Sequence, residues 1–283
     1  MHMKVMARSV EDYEHLRLEP LTGSIGAQVH GVDLRDVNEA TLAEIEHAWL
    51  AHKVLFFRDQ PLTRPEHVAY GRRYGELEIH PFTKNVEGFP EIIVLESTPE
   101  SFYAAEQWHT DVTFRAEPSR ASILLGKVIP PYGGDTCFAD AELAYELLDE
   151  TTKETIEGRT ATHSMRNVFG RSMKPERLAA TLAQFPDQHH PIVRTHPVTG
   201  RHSLFVNRPF TTHVDDMEST ESRALLEKLW AQVTKPEVQC RFRWQPDSLA
   251  QWDNRCTQHY AVPDHGGLHR LVERVTLAGD KPF

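Results

Sequence analysis

The chain has 283 residues, 40% hydrophobic and 25% charged, a balance that suits a folded domain and excludes a disordered tail. Its 31 basic and 41 acidic residues give a formal net charge of −10, which excludes a wholesale electrostatic grip on nucleic acid or anionic lipid while allowing a local basic pocket. Three cysteines, Cys137, Cys240 and Cys256, lack CxxC spacing, so a disulfide scaffold and a cysteine zinc site are disfavoured and a reducing compartment fits. Seventeen histidines invite a metal reading and also guarantee false metal motifs.

The N-terminus has no apolar core of signal-peptide length, and no window approaches the roughly 18 apolar residues of a membrane span, so a soluble, cytoplasmic protein is expected. In chain order, helical periodicity appears at Glu39–His52, where Leu42, Ile45 and Trp49 share a face, and is followed by a strand at Val54–Phe57. A helix at Pro65–Tyr74 precedes strands at Ile92–Leu95 and Ala121–Leu125. Asp140 is placed to cap a helix within Ala139–Asp149. Short strands follow at Ile192–Arg194 and Leu204–Val206. Asp215 and Asp216 precede a helix at Ser219–Val233, and a strand at Gln239–Trp244 follows it. Strands joined by irregular loops, with a few helices among them, predict a mainly β fold with flanking helices, a sandwich or barrel forming one domain over residues 1–283. A doubly wound fold would need regular β–α alternation, which is absent.

Gln107–Phe114 reads QWHTDVTF. On an extended strand, His109 and Asp111 would point to the same face and supply two-thirds of the two-histidine, one-carboxylate triad of non-haem Fe(II) oxygenases. The spacing alone says little, because 17 histidines and 15 aspartates yield about one such pair by chance; His213–Asp215 also fits. Context separates them. His213–Asp215 abuts a helix start, where an aspartate caps, whereas His109–Asp111 has apolar flanks that make an unpaired charge costly. His259 follows a Trp-Asp-Asn-Arg turn as a candidate third ligand. Arg270 and Arg274 lie in an apolar-flanked segment where each guanidinium needs an anionic partner, a structural salt bridge being the competing explanation.

WHTDVTF, GGDT (Gly133–Thr136), THPVTG (Thr195–Gly200), WDNR and TQHYA (within Trp252–Ala261) and the terminal GDKPF resemble the taurine/α-ketoglutarate dioxygenase family, within the wider Fe(II)- and 2-oxoglutarate-dependent group that includes phenoxyacetate-degrading dioxygenases. The similarity runs from about Leu21 to Phe283 and implies a double-stranded β-helix (jelly-roll) core. It implies that His109, Asp111 and His259 ligate iron, that Arg270 and Thr136 hold the distal carboxylate of 2-oxoglutarate, and that Arg274 receives the substrate anion. His80, Val112, Phe169 and Phe210 correspond to substrate-pocket positions. From the residues alone, His80 would be a loop histidine and the phenylalanines core residues. Two places depart from the family pattern: Thr83 stands where a tyrosine is usual, and Ala105 where an asparagine is usual. Both remove polar contacts near the amino end of a taurine-like substrate.

The resemblance therefore implies an enzyme using Fe(II), 2-oxoglutarate and O2 to hydroxylate the carbon next to sulfur in a small sulfonate, giving aldehyde, sulfite, succinate and CO2. An alkyl sulfate ester or small carboxylate is the alternative substrate, and a non-catalytic jelly-roll binding protein the remote one. The implied partner is a small anion, with neither nucleic acid nor membrane; a homo-oligomer is compatible with this reading. The segment 82–103 is the candidate lid.

Overall fold

The structure, a computed structural model, describes residues 13–83, 85–101 and 105–283. Eight strands form one large sheet in the order Arg17–Pro20, Ala27–His30, Val54–Phe57, Leu249–Asp253, Ala121–Val128, Arg270–Leu277, Phe89–Ser97, Asn85–Val86. All neighbours are antiparallel except Ala27–His30 beside Val54–Phe57, a parallel pair joined through the helix Glu39–His52. A three-stranded sheet, Gln239–Phe242, Thr136–Asp140, Thr257–Ala261, faces the large one, and the two enclose a jelly-roll core.

The fully buried run Val54-Leu55-Phe56-Phe57 shows why the large sheet forms. Strand alternation sends Val54 and Phe56 towards the small sheet, where they meet Phe138, Phe242 and Trp252, while Leu55 and Phe57 point to the helices. Leu124 and Ala250 follow the first group, and Ile123, Leu125 and Leu249 the second. Ile45 and Trp49 of the helix Glu39–His52 close this outer core, and the helix Arg64–Arg72 adds Val68 and Tyr70, its first turn fastened by a Thr63–Glu66 capping box.

Two helices differ from expectation. Asp140 does cap, taking hydrogen bonds from the backbone N–H of Glu142 and Leu143, but its helix stops at Glu146, and Asp149 caps a separate helix, Glu150–Ile156. Asp215 and Asp216 cap nothing at Ser219–Val233; Glu218 accepts from Thr220 and Glu221 there, because only Glu218 is close enough to the first turn. Most of the expected lid is also part of the sheet: Asn85–Val86 and Phe89–Ser97 are hydrogen-bonded strands, while residues 84 and 102–104 lie outside the described residues. Among the described residues, no helix is long and apolar enough to cross a membrane.

Candidate metal centre and anion pocket

His109 and His259 meet as an isolated antiparallel bridge. Each backbone N–H donates to the other's carbonyl, at 3.1 and 2.8 Å, so the two imidazoles are fixed side by side. His259 reaches this point because the chain leaves the large sheet at Asp253 and enters the small sheet at Thr257. The intervening turn is locked by Asp253, whose carboxylate takes Arg255 through Nε and Nη2 and His196 through Nε2.

Asp111 arrives differently from the expected strand. Residues 111–114 form a turn, and Val112 has φ 45°, a left-handed conformation costly for a β-branched residue, of order 1–3 kcal/mol. A buried polar network holds the turn. The Thr110 hydroxyl donates to Thr257 O at 2.8 Å, Asn207 Nδ2 donates to Thr113 Oγ1 at 3.0 Å, and His163 Nδ1 lies 2.9 Å from the same hydroxyl. His190 Nε2 donates to the carbonyls of Thr113 and Arg115. At about 1 kcal/mol each, these bonds offset the strain.

The result places His109 Nε2 and His259 Nε2 each 3.9 Å from Asp111 Oδ1. His109 Nδ1 lies 2.7 Å from Gln107 O; that bond needs the proton on Nδ1 and leaves the Nε2 lone pair facing the carboxylate. Burial pushes both imidazoles towards the neutral form that a metal requires. Burial alone would raise the Asp111 carboxyl, but Arg274, the two histidines and Ser122 outweigh it and hold it well below the usual carboxylate range. Ser122 donates to Oδ2 at 2.8 Å, and Arg274 Nη1 to Oδ1 at 2.8 Å. The donor set fits one divalent cation: one anionic oxygen and two neutral nitrogens, with the carboxylate oriented from behind.

Among the described residues, one other trio of potential ligands lies close enough to share a metal: His196, Asp253 and Cys256. Its carboxylate is already neutralised by the paired Arg255, and burial raises the Cys256 thiol. That trio reads as the lock of the turn. Among the described residues His213–Asp215 completes no such trio, although His189 Nδ1 lies 2.9 Å from Asp215 Oδ2. The His213 ring is more than half exposed, and Asp215, just past the strand Thr211–Val214, accepts from the hydroxyls of Thr160 and Thr162.

The arginines share the strand Arg270–Leu277, where alternation puts Arg270, Val272 and Arg274 on the face towards the small sheet and Glu273 on the other, paired with Arg64. Four residues of strand separate the two guanidinium stems by about 13 Å. Among the described residues Arg270 has no carboxylate partner; its Nε donates to Gly134 O at 3.1 Å, and its guanidinium lies over Trp244. Burial pulls its pKa down to about 10. Such a buried cation calls for an anionic ligand. Gly134, at φ 71°, leaves the room: a Cβ there would stand 2.9 Å from Arg270 Cδ. Thr136 faces the same space, and its oxygen accepts from Trp244 Nε1 at 2.9 Å, leaving its proton to donate.

His109, Asp111, His259, Thr136, Arg270 and Arg274 line one cavity of about 780 Å³. His80 also lines it, with Nδ1 accepting from the backbone N–H of Phe82 and Thr83 at 3.2 and 3.0 Å, so the neutral ring presents Nε2–H. Burial, then the charge of Arg274, lowers its pKa to about 4. Val112, Phe169 and Phe210 form the apolar wall, backed by Phe82 and Phe114. Thr83 and Ala105 line the cavity too. The structure thus brings together all ten residues singled out in the sequence. Residues that sequence reasoning passed over are Ser122, Thr113, His163, His190 and Asn207, which orient the carboxylate and its turn. Thr113 stood inside the WHTDVTF motif, and Asn254, 3.3 Å from Ser122 Oγ, inside WDNR.

Residues 17–276 match the family described as Taurine catabolism dioxygenase TauD, TfdA family. The chain is 39% identical to an alkylsulfatase from Acinetobacter baylyi, covering 94% of this chain and 86% of that protein. It is 36% identical to an alpha-ketoglutarate-dependent sulfate ester dioxygenase from Pseudomonas putida, covering 94% and 91%. Among solved structures, a taurine dioxygenase from Burkholderia xenovorans superposes with a TM-score of 0.82 at 38% identity, covering 95% and 91%.

Proposed function

The chain belongs to the TauD/TfdA family of 2-oxoglutarate-dependent dioxygenases, and from that premise we propose that it oxidises the carbon attached to the sulfur group of an organic sulfur anion, with an alkyl sulfate ester as its preferred substrate. We infer that His109, Asp111 and His259 hold Fe(II), that Arg270 and Thr136 bind the distal carboxylate of 2-oxoglutarate, and that Arg274 with His80 binds the substrate's sulfur oxyanion. When bound, Fe(II) with O2 and 2-oxoglutarate supplies the oxidising chemistry, producing succinate and CO2 and adding one oxygen atom to the substrate.

The observation that carries this reading is the placement of Arg274 in the cavity, its Nη1 on Asp111 Oδ1. An anionic head drawn to that guanidinium sits beside the metal ligands, so its attached carbon is the one presented for oxidation. Charge balance supports a monoanionic head: Asp111, Arg270, Arg274, a divalent cation, dianionic 2-oxoglutarate and one sulfate ester cancel formally. His80 Nε2–H would donate to a sulfur-bound oxygen, and its depressed pKa keeps it neutral at pH 7. Val112, Phe169 and Phe210 would exclude water and pack the carbon chain.

Thr83 and Ala105 favour an ester over taurine, because neither supplies a strong partner for a substrate ammonium. Hydroxylation of the carbon bearing the sulfate oxygen gives an unstable product that splits into aldehyde and sulfate; the corresponding sulfonate would release sulfite. One domain over the whole chain suffices for this activity, and the free Cys137, Cys240 and Cys256 support a reducing, cytoplasmic setting.

The test is a panel of alkyl sulfates, alkyl sulfonates and taurine, incubated with Fe(II), ascorbate and 2-oxoglutarate. Succinate formed in step with sulfate from the esters is the expected outcome. Dominant sulfite release from taurine would overturn the ester preference, and succinate without sulfate or sulfite would overturn the sulfur chemistry.

A further inference from the structure

The cavity is larger than the proposed reaction requires. At about 30 Å³ per heavy atom, the liquid share of a water molecule, 2-oxoglutarate and a taurine-sized anion account for about two-thirds of its 780 Å³. The remainder extends outward past the apolar wall, as the exposure of its lining shows. Phe210 is buried and Phe169 half-buried, while Arg171, Arg208 and Arg223, which line the same cavity, are exposed.

These arginines form a second concentration of positive charge. Arg208 and Arg223 share one carboxylate, Glu227, each at 2.6 Å, and both guanidiniums lie over the Trp230 ring, 4.6 and 5.4 Å from its centre. Arg171 makes no ion pair or side-chain hydrogen bond among the described residues. Glu227 lies behind the rim rather than in the cavity lining, and the exposed Glu106 is the acid that lines the cavity there. Three cations against two carboxylates leave one positive charge, in a protein of net charge −10. The inner end is already neutral with a single anionic head, so this surplus is not needed for the sulfate.

We propose that the outer end of the cavity is a second anion subsite and that the substrate carries two charged ends: a sulfate ester at Arg274 and a carboxylate at the Arg171–Arg208–Arg223 rim, joined by an apolar chain along Val168, Phe169 and Phe210. The apolar wall suits the methylene chain, and planar guanidiniums suit a carboxylate. This proposal rests on the sulfur-anion reading of Arg274 given above.

The experiment compares alkyl sulfates of six to twelve carbons with and without a terminal carboxylate. Affinity is measured by anaerobic calorimetry on enzyme holding Fe(II) and 2-oxoglutarate, and rates by sulfate release. At the matching chain length the carboxylate should tighten binding about fivefold, the range of a partly exposed charge pair. Arg171→Gln and Arg208→Gln should remove that gain while leaving the plain alkyl sulfates unchanged. The subsite is refuted if the carboxylate gains nothing at any length, or if its gain survives in the double variant. Equal loss for both series, seen only at low salt, would also refute it by reducing the arginines to long-range steering. Failure of the plain alkyl sulfates to bind at all would instead bring down the sulfur-anion reading, and this subsite with it.

Discussion

His109–Asp111 and His213–Asp215 carry the same spacing and stand at opposite ends of the chemistry. At the first, the backbone is pinned to a distant strand, the carboxylate is buried against Arg274 and Ser122, and a second imidazole stands 3.9 Å away. At the second, the histidine is more than half exposed, and the aspartate is tied to Thr160, Thr162 and His189. Spacing sets which side chains meet only when the backbone around them is fixed. What distinguishes the first pair is its setting: a turn strained at Val112, the crossing at Asp253–Thr257 and the desolvated charge between them.

The sharpest way to break this comparison is to remove each carboxylate. Asp111→Ala should lower turnover about a thousandfold or more, since a direct ligand exceeds the 10–100-fold typical of groups behind a ligand. Asp215→Ala should leave turnover within about twofold and cost about 1 kcal/mol of stability in a denaturant melt, from the hydroxyls and His189 that lose their acceptor. Comparable loss of activity in both would dissolve the distinction.

Next in size is the division between the two arginines. Arg270→Gln should raise the 2-oxoglutarate requirement about 100-fold, the worth of a buried charge-assisted pair, with a much smaller effect on the organic sulfate. Arg274→Gln should do the reverse. Steady-state titration of each substrate against both variants checks this, and equal damage to both would mean the two anion sites are misassigned.

A smaller effect is expected behind the proposed ligands. Ser122→Ala removes the hydrogen bond to Asp111 Oδ2 and should weaken Mn(II) binding about tenfold while the fold persists; Thr160→Ala, its counterpart at the decoy, should leave Mn(II) binding unchanged. Calorimetric titration of the two variants separates them.

The buried histidines away from both motifs set the acid limit. His67 is enclosed, and burial lowers its pKa from 6.5 to about 4. The unfolded chain therefore takes up a proton between pH 6.5 and 4 that the native chain resists, so stability should fall as pH drops through that window, by up to about 3 kcal/mol from this residue. His67→Gln should flatten that part of a melting-temperature profile recorded from pH 8 to 4, and an unchanged slope would remove His67 from the account.

Much of this was legible in the residues. Val54–Phe57 and the helices Glu39–His52 and Ser219–Val233 follow their apolar patterns to the residue. The metal candidates were also found, but by a partly mistaken route: His109 and Asp111 converge through a turn rather than strand alternation. The helix Pro175–Gln184 went unseen although Leu178 and Leu182, one turn apart, pack against the Phe114–Phe210 cluster; none of its residues is fully buried. Phe169 and Phe210 are pocket residues through long-range packing that no local pattern encodes; the family resemblance supplied them. Ser122, His163, His190 and Asn207 act through partners roughly 10 to 95 residues away, and a hydroxyl or imidazole leaves no periodic trace of such a partner. Nor did the histidine surplus find the site: several of these rings, His67, His163 and His190 among them, are buried structural groups.

The central claim is that His109, Asp111 and His259, with Arg270 beside them, form one site for Fe(II) and 2-oxoglutarate. Anaerobic addition of both to the intact protein, followed by visible absorption, tests it directly. The account predicts a charge-transfer band that is kept in Asp215→Ala, abolished in Asp111→Ala, and shifted to higher 2-oxoglutarate concentration in Arg270→Gln. A band of full intensity in Asp111→Ala, or none in the unaltered protein, would contradict it.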